Sequence, residues 1–400
     1  MKFAHMSDVH IGAWRDPQMK DLNLKAFIKS VDMILKEKVD FLLISGDLFN
    51  TALPLIDQVK EVVRQLNRLK DATIPVYYVA GSHDFSPSGK TMLDVLEEAG
   101  LAINVTRGGV EGDKLKLKFT VDKKTGVKIT GLLGKKGMLD RHYYEALDQE
   151  SLEKEPGEKI FLFHTSITEL KPKDLEEMDS YSVTFMPKGF NYYAGGHVHI
   201  RKTVDIEGYK NVVYPGPIFP CNFAELEKLQ YGSFMIVENW KGKLVPVELK
   251  PIKMKKFDAD GKTPSLVNRE MESWLDSQEL TDAIVLIRVE GRLVNGKPAD
   301  IDFSAITENA MKKKAHHVLR NTSKLTSEEL EEIKVTLASA EEIERKILKE
   351  HAGQIKVSFS ETEKAQQLMR TLGQEKDEGE KSSAYEQRIL DEADLVMRNE

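Results

Sequence analysis

Along the first hundred residues the apolar positions switch between short continuous runs and a three-to-four spacing. Residues 2–10 read as a buried strand. Residues 23–38 carry Leu24, Phe27, Ile28, Val31, Ile34 and Leu35 at the spacing of one helix face. Residues 40–47 form an apolar run closed by Ser45-Gly46-Asp47, and residues 55–69 are helical. Residues 75–80 form a third strand closed by Gly81-Ser82-His83-Asp84, and residues 91–99 are helical again. This alternation predicts an α/β sheet with helices on its faces.

Farther along, residues 115–119, 127–132, 159–163 and 192–194 read as short strands. Segments 201–206, 211–214, 231–238 and 244–249 have the pattern of an antiparallel run. Two partly mixed sheets flanked by helices are therefore expected over residues 1–250. The pattern restarts near Lys250. An extended basic segment at 251–257, a helix at 265–275, a strand at 283–290 and a helix at 301–314 predict a small α/β domain over 251–325. Polar helices are expected at 327–349 and 360–372, separated by Gly353. Their spaced apolar residues, including Ile343, Ile347, Leu368, Met369 and Leu372, suit a tail over 326–400 that docks on a partner.

Composition bounds these readings. Four hundred residues exceed what one core usually supports. Apolar residues make up 40% and charged residues 31%, as in globular chains, and no apolar run is long enough to span a bilayer. No membrane partner is expected. Met1-Lys2-Phe3-Ala4-His5 enters a strand at once, without the apolar core of a signal peptide, and Cys221 is the sole cysteine. Both features point to a cytoplasmic location. The net charge is −7, but residues 326–400 hold 11 Lys+Arg against 19 Asp+Glu, which leaves the rest of the chain at +1. The acidity belongs to the tail, and the body remains free to carry a basic face.

The chemistry-bearing residues gather at the predicted strand ends. Asp8-Val9-His10 closes the first strand, and residues two apart on a strand share a face. Asp47 closes the second, His83-Asp84 the third, and His164 follows the run 160–163. Gly196-His197-Val198-His199 repeats the two-apart arrangement. Ligand sites of open α/β sheets lie at the C-terminal ends of strands. Carboxylates and imidazoles without thiolate suit manganese, iron, zinc or magnesium. The set is too large for one ion and suits two that share a carboxylate, the arrangement that serves in-line phosphoryl displacement.

These motifs resemble the calcineurin-like metallophosphoesterase family, whose pattern is Asp-x-His, Gly-Asp, Gly-Asn-His-Asp/Glu, His, Gly-His-x-His. The match is closer to nuclease subunits of DNA double-strand-break repair complexes, of the meiotic-recombination-eleven type and archaeal in character. It rests on Ser7-Asp8-Val9-His10-Ile11-Gly12, Ser45-Gly46-Asp47-Leu48-Phe49, Tyr214-Pro215-Gly216 and the region of Val289-Glu290-Gly291. The resemblance implies a two-sheet αββα sandwich with a small α/β capping domain and a helical C-terminal tail. It implies two Mn2+ ions, other divalent metals being compatible. Asp8, His10 and His199 would hold one ion, His164 and His197 the other, and Asp47 would bridge them. His83 would act on the transition state or the leaving oxygen, with Asp84 orienting it. Ser82 stands where the family has an Asn ligand, and Asn50 where it has a second His beside the site.

The implied reaction is Mn-dependent cleavage of DNA, as a 3′-to-5′ exonuclease on duplex ends and an endonuclease on single strands. The implied partners are DNA, a coiled-coil ABC-type ATPase bound by the tail, and a second copy meeting the chain through 55–69 and 91–99. Lys253, Lys255, Lys256, Lys312, Lys313, Lys314, His316, His317 and Arg320 are candidate phosphate contacts. Gly134-Lys135-Lys136-Gly137 reads as an ordinary turn. It lacks the spacing and hydroxyl residue of a P-loop. Two rival functions differ in class: a small-molecule phosphodiesterase on the same centre, and a DNA-end-binding scaffold or weakly active paralogue, for which Ser82 and Asn50 speak.

Overall fold

The computed structural model describes residues 1–85, 91–172, 178–328, 361–374, 376 and 382–398. The chain divides into two compact units, Met1–Pro251 and Ile252–Glu400.

In the first unit the elements run β1 (Lys2–Met6), α1 (Leu22–Glu37), β2 (Phe41–Ser45), α2 (Ile56–Asp71), β3 (Val76–Val79), α3 (Met92–Glu98) and β4 (Ile103–Asn104). There follow β5 (Gly108–Glu111), β6 (Lys114–Leu117), β7 (Thr120–Val121), β8 (Lys128–Gly131), α4 (Arg141–Glu145), α5 (Gln149–Lys154) and β9 (Lys159–His164). The unit ends with β10 (Tyr192–Gly196), β11 (Arg201–Ile206), β12 (Tyr209–Pro215), α6 (Phe223–Leu229), β13 (Gly232–Glu238) and β14 (Lys241–Val247). One sheet has the order β14-β13-β1-β2-β3-β4, the other β11-β12-β10-β9-β8-β7, and β5 and β6 pair as a separate hairpin.

Parallel pairing of β1, β2 and β3 requires cover on both faces, which explains why every residue of β2 and β3 is buried. Phe3, Phe41, Leu43, Tyr77 and Val79 meet Ile160, Leu162, Tyr192 and Ala194 in one core. The alternate residues Phe161, Phe163 and Tyr193 belong to a different core, with Tyr144, Leu152 and Phe190. A strand period of two thus gives β9 and β10 one face for each cluster, and the first cluster is the filling of a sandwich. Helix α1 buries Phe27, Val31 and Ile34 on one stripe, and α2 buries Val62, Leu66 and Leu69. Helix α3 starts on a reciprocal cap, in which Thr91 and Asp94 satisfy each other's backbone N–H.

The expected antiparallel run over 201–249 is two hairpins in different sheets. Strands β11 and β12 pair antiparallel, and β12 joins β10 in parallel, whereas β13 pairs with β1 and β14. Local periodicity signals strands, but the choice of neighbour is non-local. The first strand is also shorter than expected, because it ends at Met6.

The second unit has β15 (Ile252–Asp258), α7 (Pro264–Asp276), β16 (Ile284–Leu293), α8 (Phe303–Lys312), β17 (His317–Asn321) and β18 (Leu325–Ser327). Strand β16 pairs in parallel with β15, β17 and β18. Its residues Val285, Ile287 and Val289 pack with Val267 and Met271 of α7 and Ile306 and Ala310 of α8. The basic stretch 312–320 is not a single helix face. Lys312 ends α8, Lys314 turns left-handed at φ 63°, and β17 follows. The expected helix at 327–349 and Gly353 fall mostly outside the described residues, whose strand β18 includes Ser327. Helices do cover Glu361–Leu372 and Ser382–Arg398, and the Tyr385 hydroxyl donates to the Gln374 carbonyl at 2.8 Å. No helix among the described residues is long and apolar enough to cross a membrane.

Candidate metal centre

Asp8 and His10 lie beyond the end of β1, both in left-handed backbone, at φ 51° and 47°. The strand-face argument for their common direction therefore fails, and hydrogen bonds take its place. Asp8 N donates to the Gly46 carbonyl at 3.2 Å and His10 N to the Asp47 carbonyl at 2.9 Å. Between them Val9 is fully buried, and its carbonyl accepts from the buried Asn23 amide at 3.0 Å. Asp47 (φ 54°) and His197 (φ 95°) are left-handed as well. Each such non-glycine residue costs about 1–3 kcal/mol and persists where surrounding bonds over-determine it, typically at functional sites.

His164 obeys the strand rule. It has the parity of Ile160 and Leu162, so it faces the other sheet. There its Nδ1 meets the Ser45 carbonyl at 2.9 Å, and its Nε2 lies 3.1 Å from Asp47 Oδ2. Gly46 (φ 84°) makes room, because a Cβ there would stand 2.0 Å from His164 Nδ1. Gly81 plays the same part for the carboxylate: its Cβ would fall 2.3 Å from Asp47 Oδ1.

Asp47 occupies the middle. Its Oδ2 is 3.5 Å from His10 Nε2 and 3.1 Å from His164 Nε2, and its Oδ1 accepts the His83 N–H at 2.7 Å. Asp8 Oδ1 accepts the His197 N–H at 2.9 Å and lies 3.7 Å from His199 Nε2. His10 Nε2 and His199 Nε2 stand 3.1 Å apart, and the rings of His164 and His197 have centroids 5.1 Å apart. Among the described residues, potential ligand atoms fall within 4.8 Å of one another in three groups: Asp8, Asp47 and His164; His10, Asp47 and His83; and His10, His199 and Cys221. Asp47 and His10 each belong to two of them. Ser82 is buried in the turn that carries His83.

Asp84 is expected to orient His83, and in the structure its carboxylate engages backbone rather than the His83 ring. It accepts from the backbone N–H groups of Asp47 (2.9 Å), Phe49 (3.1 Å) and Gly81 (2.9 Å). It therefore braces the two turns that carry Asp47 and His83. The partner of His83 Nδ1 is the backbone carbonyl of Asn50, at 2.9 Å. Asn50 enters the site through its main chain.

Burial lowers His10 and His197 to about 4, against the pull of nearby carboxylates, so both imidazoles are neutral at pH 7. Burial also disfavours charge on His164 and His199. Asp47 nevertheless holds His164 up at about 10, and Asp8 with Glu225 holds His199 up at about 9. In return, His164 and His10 lower Asp47 below the usual carboxylate range although burial opposes it. Such a field draws cations. The donors fit a divalent pair: imidazole nitrogens and carboxylate oxygens, with the buried His10 Nδ1 left without a hydrogen-bond partner.

A family profile described as Calcineurin-like phosphoesterase matches residues 1–201. The chain belongs to this family. Membership in the calcineurin-like phosphoesterases implies a divalent metal centre, and the cluster around Asp47 is where this chain offers one. Among curated proteins the chain is similar to "DNA double-strand break repair protein Mre11" of Archaeoglobus fulgidus, at 27% identity over 63% of this chain and 60% of that protein. The protein of the same name from Methanococcus maripaludis is 29% identical over 50% of this chain and 52% of its own length. That of Methanopyrus kandleri is 24% identical over 78% and 69%. The chain thus spans less than two thirds of the first two relatives.

Sequence reasoning missed two neighbours of the centre. Glu225 Oε1 lies 2.9 Å from His199 Nδ1, and the Cys221 sulfur lies near His10 and His199. Asn222 followed by Glu225 is a readable helix-start signature, and Asn222 does cap α6. Nothing in that signature says which histidine the glutamate meets. A cavity of about 360 Å³ opens beside His197 and His199, walled by Val198, Ile200, Asn222 and Lys228.

Proposed function

We propose that this chain is a metal-dependent DNA nuclease that processes ends in double-strand-break repair, using two Mn2+ ions. The observation that carries the reading is the place of Asp47, whose Oδ2 lies within 3.5 Å of both His10 Nε2 and His164 Nε2. A carboxylate so placed suits a bridge between two ions, with Asp8, His10 and His199 around one and His164 and His197 around the other. Ser82, buried in the turn that carries His83, is assigned to the second ion in this reading. When bound, such a pair supplies an activated water and stabilises the charge of an in-line phosphoryl displacement.

The remaining work falls to the chain. Asp84 holds the backbone of Asp47 and Gly81 so that Asp47 and His83 keep their spacing. His83 is tied at Nδ1 to the Asn50 carbonyl, which makes Nδ1–H the donor and leaves Nε2 to handle a proton. Its ring stands edge-on to His10, with centroids 4.8 Å apart, beside the candidate ligands.

The relatives' names, which speak of DNA double-strand break repair, support DNA as the substrate. In this reading residues 251–325 contact DNA. Lys256, Lys312 and Lys313 already pair with Glu290, Glu308 and Asp276, so their share in phosphate binding requires exchange of partners. Residues 326–400 dock a coiled-coil ABC-type ATPase, a role that suits the exposed Met369, Leu372, Leu390, Leu395 and Met397 of the tail helices. A second copy covers Leu53, Leu55, Ile56 and Val95, which are large, apolar and exposed. The test is cleavage of end-labelled duplex and single-stranded DNA in Mn2+ against Mg2+. Shortening of duplex ends in Mn2+ is expected. Hydrolysis of an aryl phosphodiester without any cleavage of DNA would assign the centre to small molecules instead.

A further inference from the structure

We propose that Glu225 is a positioning residue of the metal centre, holding His199 by its Nδ1 so that Nε2 is presented to the ion. This rests on the metal-centre reading and adds to it a residue that no motif includes.

Glu225 sits in the first turn of α6, three residues after the cap Asn222. A glutamate there normally reaches back to the cap residue's own N–H. This one does something else. Its Oε2 accepts the Cys221 N–H at 2.8 Å, one residue earlier, and its Oε1 takes the His199 Nδ1 at 2.9 Å. The helix start is secured without the carboxylate, because the Asn222 side chain accepts the Glu225 N–H at 2.9 Å. The Asn222 amide also donates to Oε1 at 2.6 Å, which fixes that oxygen against the imidazole.

The consequence for His199 is chemical. A carboxylate at Nδ1 selects the tautomer with hydrogen on Nδ1 and leaves the lone pair on Nε2. That nitrogen is the one 3.7 Å from Asp8 Oδ1 and 3.1 Å from His10 Nε2. The bond also fixes the ring's rotation and makes Nε2 a stronger donor, the usual effect of a carboxylate behind a metal-binding histidine. The other imidazoles are held differently. His164 uses the Ser45 carbonyl, and His10 has a buried Nδ1 with no partner. His199 is also more exposed than either, its side chain 20% accessible against 0% for His164, so packing alone holds it less firmly.

The experiment is calorimetric titration of Mn2+ into the metal-free full chain, for wild type, Glu225→Ala and Glu225→Gln. Glu225→Ala is expected to weaken one of two manganese sites by roughly 10–100-fold, the range for groups that support a metal ligand, and to leave the other within about twofold. Glu225→Gln keeps a neutral acceptor and falls between. Hydrolysis by Glu225→Ala should need more manganese for half-maximal rate, yet approach the wild-type rate at saturation. A merely structural glutamate predicts otherwise: lower thermal stability of the metal-free protein with both sites unchanged, and that result overturns the proposal. If Glu225→Ala does not fold, wild-type affinity and manganese requirement in Glu225→Gln overturn it equally. Wild type that binds no manganese removes both this proposal and the metal reading. Wild type that binds manganese but leaves DNA intact removes the nuclease reading alone, and the titration still decides on Glu225.

Discussion

The Nδ1 of His83 lies 2.9 Å from the backbone carbonyl oxygen of Asn50, so the residue that orients the candidate proton-transfer group does so whatever its side chain. Asn50→Ala should leave turnover within about an order of magnitude. His83→Gln should lose roughly 10²–10⁴-fold, the usual worth of a positioned acid or base. Manganese affinity should be unchanged in both. Steady-state hydrolysis beside calorimetry checks this, and loss of metal from His83→Gln would make His83 a ligand.

Asp47 stands between the two imidazole groups, and its removal should empty both sites. Metal analysis of Asp47→Ala should find neither manganese retained after dialysis; two ions per chain would exclude a bridge. Ser82 tests the same centre from the other side. A serine hydroxyl is a bond nearer the backbone than an asparagine carbonyl, and metal–oxygen bonds are short, about 2.0–2.2 Å. Ser82→Asn should therefore bind manganese more tightly, by about 10–100-fold. Equal saturation of wild type and Ser82→Asn would show that another group already completes the site.

The pH dependence follows from His164 and His199, which the neighbouring carboxylates hold at about 10 and about 9 against burial. In the metal-free protein both carry a proton at pH 7, whereas an ion binds only the neutral imidazole. Loading must release protons, and apparent affinity should climb from pH 6 towards pH 9, by up to about tenfold per pH unit for each proton released. The sign for folding is opposite. The raised values stabilise the metal-free chain fully below about pH 6.5, and that contribution fades as pH rises through 9 and 10. Calorimetry at pH 7 in two buffers of different ionisation heat measures the release; identical heats would contradict it.

Helix α2 starts beside an apolar patch, with Leu55 68% and Ile56 76% exposed. Within the expected dimer contact, 55–69 and 91–99, Val62, Leu66, Leu69, Leu93 and Leu96 are core instead and Val59, Val63 and Met92 are half-buried, which leaves Leu55, Ile56 and Val95 as its exposed large apolar residues. Ile56→Glu combined with Val95→Glu should turn a dimer into a folded monomer by light scattering. A wild-type chain that is monomeric at micromolar concentration would end this reading.

The residues Asp8, His10, Asp47, His83, His164, His197 and His199 could be listed from the chain alone, because ligand chemistry belongs to side-chain type and the apolar runs before them mark strand ends. Asn222 and Glu225 could likewise be read as a helix start. The sequence also determined His164's direction, since period two on β9 places it with Ile160 and Leu162. Only the tertiary structure decided how Asp8 and His10 converge. Their left-handed backbone is imposed by carbonyls of Gly46 and Asp47, some forty residues away in the chain, and a φ angle set by remote hydrogen bonds leaves no local periodicity. The same holds for Asp84, which turned from His83 to three backbone N–H groups, and for Glu225, which found His199. A carboxylate's type says that it will accept hydrogen bonds. Which donors it meets depends on how loops from two sheets pass one another, and that is settled when the sandwich closes.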